Sequence, residues 1–301
     1  MPFSRLPAAL IVLSATLVVA GCGARPDEAG GDRPVKAVAT TTQVADLVRA
    51  VGGDQVAVTQ VLRPNSDPHD YEPRPSDARA IEGADVVFRS GGDLDEWMDD
   101  LIENNGGDAR TVTLGDSVRT RGDDPHWWQD PRNGARAVAA IEAALAKADG
   151  TGYAARAEAY TRRLRALDRQ VAACVGRLPS SQRKLVTSHD ALGYYTDRYG
   201  LTLVGAVIPS LSTQAQPSSK AVNRLVDQIR REKVRAIFPE SSLNPKIETA
   251  VARESGASVG GALWADTLGP EGSRGATYIG SIRANTDTIV RGLSGGRERC
   301  W

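Results

Sequence analysis

The chain holds three histidines in all, His69, His126 and His189, and each lies in a loop set with acids or hydroxyls. His69 stands in Asn65-Ser66-Asp67-Pro68-His69-Asp70, His126 in Asp124-Pro125-His126-Trp127-Trp128-Gln129-Asp130, and His189 in Thr187-Ser188-His189-Asp190. Imidazole is a ligand for first-row transition metals, and a nearby carboxylate can fix the ring by accepting its second N–H. Asp67, Asp70, Asp124 and Asp130 are placed to serve in that way. Two further acids follow predicted strands, Glu240 in Phe238-Pro239-Glu240-Ser241 and Asp266 in Trp264-Ala265-Asp266-Thr267. Three imidazoles and one carboxylate would make a tetrahedral site suited to Zn2+. The histidines are far apart in the chain, so no local zinc motif such as HExxH exists. A single loop histidine is ordinarily solvated or hydrogen-bonded, and an acid in a loop is ordinarily solvated or a helix cap. The metal reading rests on all three histidines falling just beyond predicted strands.

Those strands are short β-branched runs at 35–40, 55–62, 84–89, 110–114, 184–187, 202–208, 234–238 and 257–263. Helical patterns lie between most of them, at 42–51, 75–82, 133–149, 217–232, 244–255 and 274–292. Such alternation predicts parallel sheets covered by helices, which bind ligands at the carboxyl ends of their strands. From Tyr153 the apolar positions run Ala157, Tyr160, Leu164, Leu167, Val171, Cys174 and Leu178. This is the stripe of one amphipathic helix of about 25 residues. It is too short, with no flanking repeat, to argue for a coiled coil. The predicted fold is therefore α/β: two Rossmann-like (β/α)4 lobes with parallel sheets, joined by one long connector helix. The divisions are an N-terminal lobe at 35–150, a connector at 151–179 and a C-terminal lobe at 180–296. His69 and His126 belong to the first lobe and His189 to the second, so a cleft between lobes could bring them together.

Residues 1–21 read as a secretory signal: Arg5, an apolar run, and small or branched residues before Gly21-Cys22. An uncleaved anchor helix is the alternative. Gly21-Cys22 resembles a bacterial lipobox, which implies lipidation of Cys22 and an extracytoplasmic, lipid-anchored protein. Residues 22–34 read as a flexible, Gly- and Pro-rich tether. Cys174 and Cys300 remain, and an oxidising compartment would either bond them or leave two thiols. The charge is balanced, with 37 Lys+Arg against 37 Asp+Glu, which argues against nucleic acid as a partner. Apolar residues make up 41% of the chain, enough for a real core.

The motifs together resemble the metal-binding solute receptors of ABC importers, bacterial solute-binding family 9, which handle zinc and manganese. The resemblance rests on NSDPHDYEPRPSD (65–77), DLDEWMDDLI (93–102), DPHWWQDPRN (124–133), the connector helix, TSHDALGYYTDRYGL (187–201), FPESSLNPK (238–246) and LWADTLGP (263–270). It covers about 35–293. By position it places the metal ligands at His69, His126, His189 and Asp266, and Glu240 near the cleft but outside the ligand set. Members with His at the third position tend towards zinc and members with Glu towards manganese. His189 therefore favours Zn2+, with Mn2+ as the alternative. The resemblance also implies an ABC permease and its ATPase as partners, and a monomer. One feature departs from many zinc receptors: the stretch 115–124, GDSVRTRGDD, carries no histidine, so no metal-scavenging loop is expected there. Two other classes remain as alternatives. One is an extracytoplasmic zinc hydrolase with Glu240 as base, and the other an adhesion or structural lipoprotein. If the ligands are imidazoles, affinity should fall as pH drops below about 6.5.

Overall fold

The computed structural model describes Met1 and residues 33–105 and 107–301. The rest of the signal segment, 2–21, with Cys22 and most of the tether, lies outside the described residues. Two four-stranded sheets form, both wholly parallel. The first contains β1 (Val35–Ala39), β2 (Val56–Gln60), β3 (Val86–Arg89) and β4 (Arg110–Thr113) in the order β2-β1-β3-β4. The second contains β5 (Lys184–Thr187), β6 (Thr202–Ala206), β7 (Ala236–Phe238) and β8 (Ser258–Val259) in the order β6-β5-β7-β8. The same order recurs in each lobe, so each has its switch point at the carboxyl end of its first strand. Central strands covered on both faces must be apolar throughout. Val86, Val87 and Phe88 of β3 and Ala236, Ile237 and Phe238 of β7 are accordingly buried. The edge strand β4 reads RTVT and stays partly exposed.

The first lobe carries α1 (Thr42–Gly52), α2 (Pro75–Glu82) and α3 (Trp97–Asn105), followed by α4 (Pro131–Asp149). Then comes α5 (Ala154–Gly176), and after it α6 (Gly193–Tyr199), α7 (Ser219–Glu232), α8 (Lys246–Ser255) and α9 (Tyr278–Ser294). The connector α5 has 23 residues and buries the stripe Ala157, Tyr160, Leu164, Leu167, Val171 and Cys174. At 1.5 Å per residue it is about 35 Å long. It is not a free strut. One continuous apolar cluster runs from Val35 and Phe88 through Leu164 and Val171 to Phe238 and Leu293, so both sheets share a core across α5 and α9. Tyr278 at the start of α9 donates its N–H to Asp46 of α1 and its hydroxyl to Trp128 O. Cys174 at the end of α5 is bonded to Cys300, with a Cα–Cα distance of 5.5 Å.

Three elements differ from expectation. The strand at 257–263 ends at Val259 and resumes only as a bridge between Glu240 and Leu263. Gly260 lies so close to Phe238 that a Cβ there would stand 2.3 Å from the ring, and Gly261 adopts φ +114. Such a backbone leaves the extended region and breaks the ladder. Helix α3 was not expected, because Met98 is its one buried residue and a single turn of apolar signal sits in an acidic run. Helix α6 lies outside the expected helices because Tyr194, Tyr195, Thr196 and Tyr199 are all buried, and the adjacent Asp197 and Arg198 alone, in a seven-residue helix, give no period.

Candidate metal centre

Both first-lobe histidines sit in the same Asp-Pro-His turn. Asp67 Oδ1 accepts the His69 N–H at 3.0 Å, and Asp124 Oδ1 accepts the His126 N–H at 3.0 Å. Pro in the middle has no N–H to compete and fixes φ. The turn after β2 thus presents His69, and that after β4 presents His126. His189 leaves the end of β5, where Thr187 Oγ1 donates to His189 O at 2.6 Å. Asp266 lies in the loop after the Glu240–Leu263 bridge. All four side chains are buried, at 2% exposure or less.

The four converge. One ligand atom from each of His69, His126, His189 and Asp266 lies within 4.8 Å of those from the other three. Asp266 Oδ2 is 3.4 Å from His69 Nε2 and 3.1 Å from His189 Nε2, and its Oδ1 is 3.4 Å from His126 Nε2. The two imidazoles of His126 and His189 face each other, Nε2 to Nε2, at 3.3 Å. Behind them, His126 Nδ1 meets Asp124 Oδ1 at 2.8 Å and His189 Nδ1 meets Glu240 Oε1 at 2.5 Å. A carboxylate can only accept, so each Nδ1 carries the proton and each neutral ring turns a lone pair towards the centre. Two lone pairs and a carboxylate at this range, away from water, repel unless a positive charge lies among them. No hydrogen-bond donor meets His69 Nε2 or either oxygen of Asp266. The donor set is thus complete for a cation.

The electrostatics agree. Burial opposes charge on His189, but Glu240 and Asp266 outweigh it and push its pKa well above the usual value. Burial raises Asp266, and the facing His189 and His126 more than reverse this, holding its carboxyl well below the ordinary range. The carboxylates that would hold a cation thus also favour a proton on His189 when no metal is bound.

Not every acid singled out from the sequence reaches a ring. Asp124 does. Asp67 instead takes the His69 backbone and the Thr213 hydroxyl, at 2.7 Å. Asp130 caps α4 through Arg132 N and pairs with the Arg132 guanidinium; the turn Trp127–Gln129 lies between it and His126. Asp70 is exposed. Glu240, expected merely near the cleft, is the acceptor for His189. The remaining partners had no sequence signal. Trp128 Nε1 and Gln129 Nε2 both donate to Ala265 O, at 2.9 and 2.8 Å. Leu268 N donates to Thr42 Oγ1 at 2.8 Å, and Asn65 N to Thr267 Oγ1 at 2.9 Å. These bonds staple the loop bearing Asp266 to the first lobe.

Residues 37–292 match the family described as ZnuA, "Zinc-uptake complex component A periplasmic". The chain belongs to this family, the metal-binding receptors of ABC importers. Among its relatives, the manganese-binding lipoprotein MntA of Halalkalibacterium halodurans is 32% identical over 294 residues, covering 94% of this chain and 97% of that protein. The iron-binding protein YfeA of Yersinia pestis is 29% identical over 304 residues, covering 97% of each. Among solved structures, the periplasmic zinc-binding protein TroA of Treponema pallidum superposes with a TM-score of 0.82 at 28% identity, covering 87% of this chain and 99% of that one. These are receptors, and the hydrolase alternative falls with them. Glu240 also lies behind His189, on Nδ1, on the far side of the ring from any metal-bound water.

Proposed function

We propose that this receptor captures Zn2+ between its lobes with His69, His126, His189 and Asp266 as ligands, and hands it to a membrane permease driven by an ATPase. The lobes in this reading are 35–150 and 180–296, with 151–179 as connector. The cysteine at 22 anchors the protein by lipid outside the cytoplasmic membrane, in keeping with the relatives named lipoproteins. The observation that carries the reading is the facing pair of imidazole Nε2 atoms at 3.3 Å beside an unpartnered, buried carboxylate. Zn–N bonds of 2.0–2.1 Å in a tetrahedron give edges of about 3.3 Å. The closest ligand separations here, 3.1 to 3.4 Å, match that spacing.

Mn2+ is the second reading, and one feature favours it beyond the relatives named for manganese. Both Asp266 oxygens are free and face the centre, so the carboxylate can bind through both and raise the coordination above four. Oxygen-rich, higher-coordinate shells suit Mn2+. Isothermal titration of the purified protein with each metal separates the readings. One-to-one binding with Zn2+ tighter than Mn2+, abolished in His126→Ala, is expected. Preference for Mn2+ would replace the zinc reading, and binding unchanged in His126→Ala would remove both.

A further inference from the structure

The carboxylate that orients His126 is itself held from the other lobe. Asp124 Oδ1 accepts both His126 N and His126 Nδ1. Asp124 belongs to a turn closed by its own N–H donating to Arg121 O at 3.1 Å. Tyr194, the second residue of α6, reaches across to this turn. Its hydroxyl donates to Asp124 O at 3.2 Å and accepts Arg121 N at 2.8 Å. Tyr194 and Asp124 are both buried, at 7% and 5% exposure. Arg121 completes the grip: it donates from Nη1 to Asp124 Oδ2 at 3.2 Å and from Nε to Asp197 Oδ2 of α6 at 2.8 Å. Gly193 is what allows the approach. A Cβ there would lie 2.6 Å from Asp124 Oδ2 and 2.4 Å from Arg121 Nη1.

The geometry points to Tyr194 and Gly193 as positioning residues through which the second lobe holds His126, a ligand of the first lobe, in its binding orientation. This rests on the metal-receptor reading above. Helix α6 begins four residues after His189, so it moves with His189. Displacing the second lobe therefore withdraws His189 and Asp266 and, in the same motion, takes the hydroxyl from the turn that carries Asp124. His126 then loses its fixed ring, and ligands from both lobes weaken together. A modest lobe shift suffices for release, which suits two lobes that share a core.

The test compares metal dissociation into excess chelator for the full chain, Tyr194→Phe, Asp124→Asn and the double variant. Tyr194→Phe keeps the ring and removes only the hydroxyl. Dissociation about tenfold faster is expected, the scale of lost outer partners of metal ligands. The two substitutions should be non-additive, because one acts through the other. The Co2+-loaded protein should show a shifted visible spectrum in both variants, which a loss of packing alone would not cause. Gly193→Ala should also speed dissociation, by pressing on Asp124, and stands in if Tyr194→Phe does not fold. A wild-type off-rate in Tyr194→Phe, or effects that add to those of Asp124→Asn, overturns the inference. Absence of metal binding by the unaltered chain would instead overturn the receptor reading on which it rests.

Discussion

His126 and His189 come from different lobes, yet their Nε2 atoms stand 3.3 Å apart, each ring backed by a carboxylate on Nδ1. Asp124 and Glu240 thus do the same work on opposite sides of the cleft. Each fixes a tautomer and raises the basicity of the nitrogen that faces the centre. The pairing turns both Nε2 atoms towards the same point, the arrangement that the proposed cation site needs.

The first prediction follows from that shell. Glu240→Gln and Asp124→Asn should each lower metal affinity by about 10- to 100-fold, without removing a ligand. Asp130→Asn should leave affinity nearly unchanged, since Asp130 holds Arg132 and α4, not an imidazole. Titration calorimetry on the three variants checks this. Equal losses in all three would mean that the acids act through general charge.

The second concerns pH. The His189 pKa is raised in the folded, metal-free protein by Glu240 and Asp266. Stability from this group is fully present below the unfolded value of about 6.5 and is lost as pH rises through the raised folded value. A metal must displace this proton, so affinity should keep climbing above pH 6.5. The pH window expected from unperturbed imidazole thus moves upwards. At pH 7, calorimetry in two buffers of different ionisation enthalpy should show proton release on binding. Identical heats in both would exclude a proton on His189.

A third prediction separates folding from binding. The Cys174–Cys300 bond spans 126 residues. Chain entropy alone assigns such a bond up to about 4–5 kcal/mol, from restriction of the unfolded chain. Reduction should lower the melting temperature clearly, while metal affinity stays within a few-fold because no ligand is on α5 or the C-terminal tail. Loss of metal binding on reduction would place the tail in the site.

Metal should in turn stabilise the fold. At about 100 times the dissociation constant, a ligand bound only to the native state adds about 2.7 kcal/mol. The shift in melting temperature should vanish in Asp266→Ala, and scanning calorimetry with and without metal would show it. A shift that persists would mean binding outside the four-residue cluster.

Much of this was readable in the sequence, for physical reasons that also mark its limits. Strand–helix alternation and the 153–178 stripe identified two parallel-sheet lobes and the long helix, because burial on both faces or on one face leaves a periodic imprint. Histidines at strand ends identified a candidate cleft. What lacked an imprint was tertiary: α6 is a short, mostly buried helix with only Asp197 and Arg198 turned outward, and Gly260 and Gly261 break a run that reads as strand. Local spacing also misassigned acids. Asp67 and Asp124 stand in the same Asp-Pro-His turn and both cap a histidine N–H, yet only Asp124 reaches a ring. The second oxygen of each is taken, Asp67 Oδ2 by Thr213 and Asp124 Oδ2 by Arg121, so the difference lies in the rings: only His126 turns its Nδ1 to the oxygen that caps its own N–H. Likewise Glu240 finds His189 only because β7 lies beside β5.

The most direct measurement is a crystal of the metal-loaded protein with anomalous data collected at the zinc edge. The account predicts one peak, within about 2.0–2.2 Å of Nε2 of His69, His126 and His189 and of a carboxylate oxygen of Asp266. A peak held by other residues, or none after soaking in Zn2+, would contradict it.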